Sequence, residues 1–146
     1  METAATLLHH LRERTTAADG LVIVGIDGRS GSGKSTLADT VAAEFAADGD
    51  GRVTVIAGDD FYAGGSADTW DRLTNAERAD RVMDWGRQRT VLEQLRSTGV
   101  ARWHPFDWNA DDWDADTAPF EAEPVVARAT GVVVLEGARA QRPWCR

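Results

Sequence analysis

The chain has 146 residues, a formal net charge of −8 and a pI near 4.8. The acidic balance excludes the clustered basic surface of a nucleic-acid binder, and a lone cysteine, Cys145, leaves neither a disulfide framework nor a cysteine metal cluster. No run approaches the roughly 18 apolar residues of a membrane span and no basic start leads into one, so a cytoplasmic protein without membrane contact is expected, as a single domain over residues 1–146 burying roughly two thirds of its unfolded surface.

In chain order, Ala4, Leu7, Leu8 and Leu11 recur at i, i+3, i+4, i+7 and predict an amphipathic helix over the first fifteen or so residues, with His9 and His10 off its apolar stripe. Residues 21–27 read as a short buried strand. A glycine-rich loop follows, and then Leu37, Ala38, Val41, Ala42 and Phe45 return to helical spacing. Gly49-Asp50-Gly51 marks a turn before a second strand over 52–57, which runs into Gly58-Asp59-Asp60-Phe61-Tyr62. Residues 64–75 are polar and predict a mobile connection. A helix is expected from there to about Ser97, with Val91, Leu92 and Leu95 facing inward and Gly99 as its stop. Val100 to Trp108 is an extended segment interrupted by Pro105, hence an edge strand. From Asp107 to Glu123 there are seven acidic side chains and no Lys or Arg, which reads as a solvated loop because EF-hand spacing is missing. Residues 124–128 predict one strand of a hairpin, and residues 131–137 a third strongly buried strand.

Two of the strong strands are joined by a helix and all three end in small or acidic residues, which predicts an α/β fold. Its parallel sheet lies between layers of helices, and ligands gather at the carboxyl ends of the strands. The first strand end delivers Gly28-Arg29-Ser30-Gly31-Ser32-Gly33-Lys34-Ser35, a full match to the phosphate-loop pattern GxxxxGK[ST]. Lys34 is the only lysine beside fifteen arginines. A guanidinium is a wide planar fork, whereas an ammonium is a compact point charge that fits between the β- and γ-phosphates of a nucleotide. The glycines allow backbone N–H groups to close around phosphate, the following helix adds its positive end, and Ser35 offers a hydroxyl to Mg²⁺. The second strand end brings Asp59 and Asp60, and the third Glu136. Asp59 can accept a proton from an attacking hydroxyl, and Glu136 can hold Mg²⁺ directly or through water.

Taken together, IDGRSGSGKST (Ile26 to Thr36), DDFY (Asp59 to Tyr62) and VVVLEG (Val132 to Gly137) resemble the uridine kinase-like branch of the P-loop kinases, over about residues 20 to 142. Asp84-Trp85-Gly86-Arg87 and Trp103 to Trp108 resemble the substrate side of small bacterial members. The resemblance implies a P-loop NTPase-type three-layer sandwich and an ATP-dependent (or GTP-dependent) kinase acting on a hydroxyl of a small molecule. It implies Lys34 on the β/γ-phosphates, residues Gly28 to Thr36 around the nucleotide, Asp59 as general base, and Ser35 with Glu136 at Mg²⁺. Tyr62, Asp84 and Asp107 would lie near the acceptor. Nucleoside kinases of this group carry a histidine a few residues beyond the aromatic-Asp-aromatic triplet; that place here falls near Asp111, and no histidine follows His104, so uridine and cytidine are not the expected acceptors. In the family the LEG strand is followed by a further helix, strands and an arginine-bearing lid. Only Ala138 to Arg146 remain here. The chain is accordingly expected to be a form incomplete at the C-terminus, with slow or absent transfer and self-association through uncovered apolar surface. Two alternatives accompany the kinase: a nucleotide-binding module without transfer, and an ATPase that hydrolyses.

Overall fold

The computed structural model describes residues 4–17, 20–29, 31–47, 53–110, 119–129 and 131–137. The chain-order elements are α1 (Ala4–Ala17), β1 (Val22–Ile26), α2 (Lys34–Ala47), β2 (Val53–Ala57), α3 (Ala67–Asp71), α4 (Asn75–Arg81), α5 (Trp85–Thr98), β3 (Val100–Trp103), β4 (Val125–Arg128) and β5 (Val132–Glu136). A 3-10 turn over Gly58–Phe61 follows β2.

The three strongest apolar runs form one parallel sheet in the order β1-β5-β2. β5 lies in the middle because it is apolar on both faces: Val132, Val133, Val134 and Leu135 are all buried, and each contributes on the order of 2 kcal/mol of transfer free energy before entropy is counted. The period-2 alternation of a strand sends Val132 and Val134 to a core shared with Leu8 and Leu11 of α1 and with Ala38, Val41 and Phe45 of α2. It sends Val133 and Leu135 to a second core with Val91, Leu92 and Leu95 of α5 and with Ala101 and Trp103 of β3. The result is three layers. On the far side of the sheet, β3 and β4 form a separate antiparallel ribbon, tied to the main sheet where the Thr54 hydroxyl donates to the Arg128 carbonyl at 2.7 Å.

Two expectations are corrected. Residues 64–75 are not an unstructured connection. Ser66 caps α3 by accepting the Thr69 N–H, and Thr74 with Glu77 forms a reciprocal capping box at the start of α4, so two short helices are fixed by local hydrogen bonds despite their polar composition. The single helix expected from there to Ser97 is also broken. Met83 pairs with Tyr62 as an isolated antiparallel bridge, and Asp84 restarts the chain as N-cap of α5 by accepting the Arg87 N–H. Gly99 at φ 75 closes α5 as the sequence predicts. His9 and His10 lie on the exposed face of α1 beside Glu13. The turn at 49–51, most of the acidic run, Cys145 and residues 138–146 lie outside the described residues.

One close approach holds the carboxyl ends of β2 and β5 together. A Cβ placed on Gly58 would sit 2.8 Å from the Glu136 carbonyl oxygen, a backbone atom that cannot rotate away. Gly58→Ala should therefore cost about 1–3 kcal/mol in urea unfolding, whereas Gly20→Ala, with nothing within 4 Å of the added methyl, should stay within about 0.5 kcal/mol of the parent. Equal stability of the two variants would contradict the packing of these strand ends.

Candidate functional site

The phosphate loop leaves β1 at Ile26 and enters α2 at Lys34. Its shape is set locally. The Asp27 carboxylate accepts the Gly28 N–H at 2.8 Å, and Ser32 N–H donates to the Arg29 carbonyl at 3.1 Å. Gly31 and Gly33 have φ of 77° and 89°, a region that side chains other than glycine enter only at a cost. Lys34 Nζ donates to the Arg29 carbonyl at 2.8 Å, so the ammonium is held across the mouth of its own loop. Ser35 and Thr36 are exposed on the first turn of α2, and Arg29 is exposed on the loop. Ser30 lies outside the described residues. Beside the loop is a cleft of about 770 Å³, whose walls run from Gly28, Ser32, Gly33 and Lys34 along α2 to the first turns of α1.

Strand register assembles the other candidates. Glu136 of β5 is level with Ile26 of β1 on one side and Ala57 of β2 on the other, so the phosphate loop and the Asp59 turn open from the same end of the sheet, roughly 10 Å apart with Glu136 between them. Among the described residues no group of three or more His, Cys, Asp or Glu gathers to hold a metal. The exposed Ser35 hydroxyl and the half-buried Glu136 carboxylate are hard oxygens, the donor type that fits Mg²⁺, an ion that takes most of its shell from phosphate and water.

The two carboxylates of the DDFY turn differ in their surroundings. Asp59 is exposed. Asp60 points back into the fold, where its Oδ2 accepts the Trp103 indole N–H at 2.9 Å. Burial raises the Asp60 pKa, with Glu121 and Asp59 adding to the rise and the Trp103 bond and Arg87 opposing it. Its backbone carbonyl accepts the Phe106 N–H at 2.8 Å, which fastens the 103–108 segment onto the turn. The aromatic residues that follow form a wall. Tyr62 meets Phe106 edge-on and Trp108 at a tilt, both with centroids 4.9 Å apart, and stacks on Trp70 at 6.4 Å. Burial raises Tyr62, which keeps its phenol neutral.

The remaining acceptor candidates have visible local work. Asp84 caps α5, and the Asp107 carboxylate accepts the Asn109 N–H at 3.0 Å. Trp85 donates its indole N–H to the Asp80 carbonyl at 2.7 Å. Arg87 is a site residue that the sequence motif around Asp84 does not assign. Its guanidinium lies over the rings of Phe61 and Phe120, 5.7 and 4.2 Å from the centroids, donates through Nη2 to the His104 carbonyl, and buries Nη1 without a protein partner. It lines a second cleft of about 570 Å³ with Asp84, Thr90, Trp103, His104 and Phe120. The signal for it was only proximity to Asp84. No signal marked the first turns of α1 as a cleft wall, since Ala4 and Leu7 read as core.

The family model for the methylmalonyl Co-A mutase-associated GTPase MeaB matches residues 1–84. The chain belongs to the MeaB family. Membership in this P-loop GTPase family accounts for the strand, loop and helix that open the fold, since the matched span runs through the phosphate loop and the DDFY turn to Asp84. No curated protein matches the sequence. Among solved structures, a possible uridine kinase from Bacillus stearothermophilus is 21% identical with a TM-score of 0.63, covering 96% of this chain and 76% of its own. A protein assigned as a fructose transport system kinase from Silicibacter sp. TM1040 is 24% identical with a TM-score of 0.68, covering 100% and 69%. D-glycerate 3-kinase from Cryptococcus neoformans is 15% identical with a TM-score of 0.64; 92% of this chain spans 51% of it. These likenesses show the fold: this member of the MeaB family has the α/β architecture of P-loop kinases. Among the described residues no helix is long and apolar enough to cross a membrane.

The Asp60 environment gives a pH prediction. A carboxyl whose folded pKa lies above its unfolded value binds its proton more tightly in the fold, so stability falls as pH rises from the unfolded value, about 3.9, through the folded one. Asp60→Asn removes this charge while its amide oxygen can still accept from Trp103. The variant should be as stable as the parent or more so at pH 7, with the difference vanishing below about pH 4. A clear loss of melting temperature at pH 7 would show that the charge itself is needed.

Proposed function

We propose that this chain binds a Mg²⁺-bound nucleoside triphosphate on the loop at residues 28–35 and transfers its γ-phosphoryl group to a hydroxyl of a small molecule, in the manner of a uridine kinase-like kinase. The observation that carries the reading is the exposed Asp59 on the same turn as Tyr62, whose ring meets the exposed Trp108 over the buried Phe106, at the same sheet end as the phosphate loop. Water needs no aromatic surface, whereas an organic acceptor is oriented by one.

Each residue then has a physical task. The loop N–H groups and Lys34 take the phosphate charge, and Lys34 exchanges the Arg29 carbonyl for phosphate oxygens. Mg²⁺, when bound, neutralises charge that develops on the phosphate oxygens; Ser35 and Glu136 would hold it. Asp59 takes the proton of the acceptor hydroxyl as that oxygen bonds to the γ-phosphorus and the bond from phosphorus to the β,γ-bridging oxygen breaks. Tyr62, Asp84 and Asp107 stand on the acceptor side. Asp60 is unsuited to be the base because its carboxylate is engaged by Trp103.

A second reading is favoured by the family match over residues 1–84: hydrolysis of GTP, with water in place of the acceptor. Nucleotide release that depends on an added alcohol supports transfer, and release at the same rate without one supports hydrolysis.

Lys34→Ala removes a charge-assisted contact worth roughly 1.5–3 kcal/mol, so calorimetric affinity for a non-hydrolysable triphosphate should fall about tenfold or more. Asp59→Asn should lower turnover by roughly 10²–10⁴-fold with nucleotide affinity nearly unchanged, and Glu136→Gln should raise the Mg²⁺ requirement. Full activity in Asp59→Asn together with its loss in Asp60→Asn would reverse the assignment of the base.

A further inference from the structure

The cleft of about 570 Å³ at Arg87 lies by α5 and β3, on the opposite face of the sheet from α1 and α2, and shares no wall residue with the cleft beside the phosphate loop. Its volume is within the range of roughly 300–1,000 Å³ typical of small-molecule sites. The charge on its walls is unbalanced. Arg87 and Arg102 stand against one carboxylate, Asp84, whose Oδ1 already accepts the Arg87 backbone N–H at 3.0 Å. Arg87 shows the deficit most directly: a guanidinium carries five N–H donors, and the His104 carbonyl is the single protein acceptor that meets them. Nη1 is shut away from water with no acceptor, a state that costs free energy until one arrives. Among the described residues no carboxylate forms an ion pair with this guanidinium. The rings of Phe61 and Phe120 hold the fork in place without offering it an oxygen. Arg102 is exposed on β3; its backbone N–H is directed at Gln94 Oε1 at 3.4 Å, and its guanidinium has no partner among the described residues.

We infer that this cleft binds the oxoanion of a small organic molecule, a phosphate ester or a carboxylate, with Arg87 as the principal contact and Arg102 as a second cation. A planar fork with unused donors matches two oxygens of one oxoanion, and such a pair is strongest where water competes least. An arginine with a purely structural task would have its donors met by carbonyls or a carboxylate, as buried polar groups generally do. A purely solvated one would not bury Nη1. The other polar groups on the walls are spent inside the fold: the Trp103 indole N–H goes to Asp60, and the Thr90 hydroxyl donates to the Gly86 carbonyl at 2.9 Å. The two arginines are left to meet the charge. Val91, Trp103 and Phe120 add apolar surface beside them, so an organic body gains by lying there, which a bare inorganic anion cannot do.

Titration calorimetry on the full chain with glycerol 3-phosphate, lactate and neutral glycerol tests this. At least one of the two anions should bind with a Kd on the order of millimolar, and glycerol about tenfold more weakly or not at all. Arg87→Gln should weaken the anion about tenfold or more, and Arg102→Gln by a smaller factor. Lys34→Ala, on the other face of the sheet, should leave it within about twofold. Binding that is lost in Lys34→Ala and kept in Arg87→Gln overturns the inference, because the anion then rests on the phosphate loop; so does failure of both anions to bind at about 20 mM. If Arg87→Gln does not fold, modification of the unaltered protein by phenylglyoxal, mapped by peptide mass, decides. Saturating anion should slow the reaction at Arg87 and Arg102 relative to the exposed Arg89, and an unchanged ratio overturns the inference. Mg²⁺-bound ATP added to the same samples tells the source of the anion: faster nucleotide release with glycerol 3-phosphate or lactate makes it the charged handle of the phosphoryl acceptor, whereas unchanged release makes it a ligand apart from transfer, and Arg87-dependent binding supports the inference in both cases.

Discussion

β5 shares its backbone hydrogen bonds with β1 on one side and β2 on the other, and it buries side chains on both faces. That double constraint fixes its register, because a slip of one residue would exchange the valines that meet α1 and α2 with those that meet α5 and β3. With the register fixed, Ile26, Ala57 and Glu136 lie abreast, and whatever follows each strand emerges at one end of the sheet. The phosphate loop, the Asp59 turn and Glu136 are neighbours for this reason, although 110 positions separate Ile26 from Glu136 in the chain. The close approach of Gly58 to the Glu136 carbonyl shows how little slack remains at that end.

Much of this was legible in the sequence where the determinants are local. The phosphate loop depends on glycines and one lysine within eight residues, and the buried strands on uninterrupted apolar runs. The helix stop at Gly99 depends on one residue that accepts a left-handed conformation. What the sequence withheld depends on distant partners. Nothing in the periodicity of residues 132–136 says which strands flank them. The break between α4 and α5 requires Tyr62 to bridge Met83, and the capture of Asp60 requires Trp103, 43 residues away. The capping box of Thr74 and Glu77 was a readable signal that the polar composition around it obscured.

The two aspartates of the DDFY turn illustrate how a fold divides labour between adjacent, identical side chains. Asp60 is drawn inward by an indole N–H and feels the charge of Arg87, which itself lies over the rings of Phe61 and Phe120. Asp59 is left exposed on the same turn. The inner residue secures the 103–108 segment to the turn, and the outer one stays free of that structural duty. A carboxylate pair that sequence alone could not apportion is resolved by which member the tryptophan reaches.

Lys34 has a consequence outside nucleotide chemistry. It is the chain's one side-chain amine, and it sits half-buried with its ammonium tied to the Arg29 carbonyl. Acylating reagents and lysine-modifying enzymes therefore have a single side-chain target, at the point where phosphate charge is met. Neutralising that amine and disabling the loop are one event for this chain, and any occupant of the loop that covers Lys34 also shields the whole protein from lysine acylation.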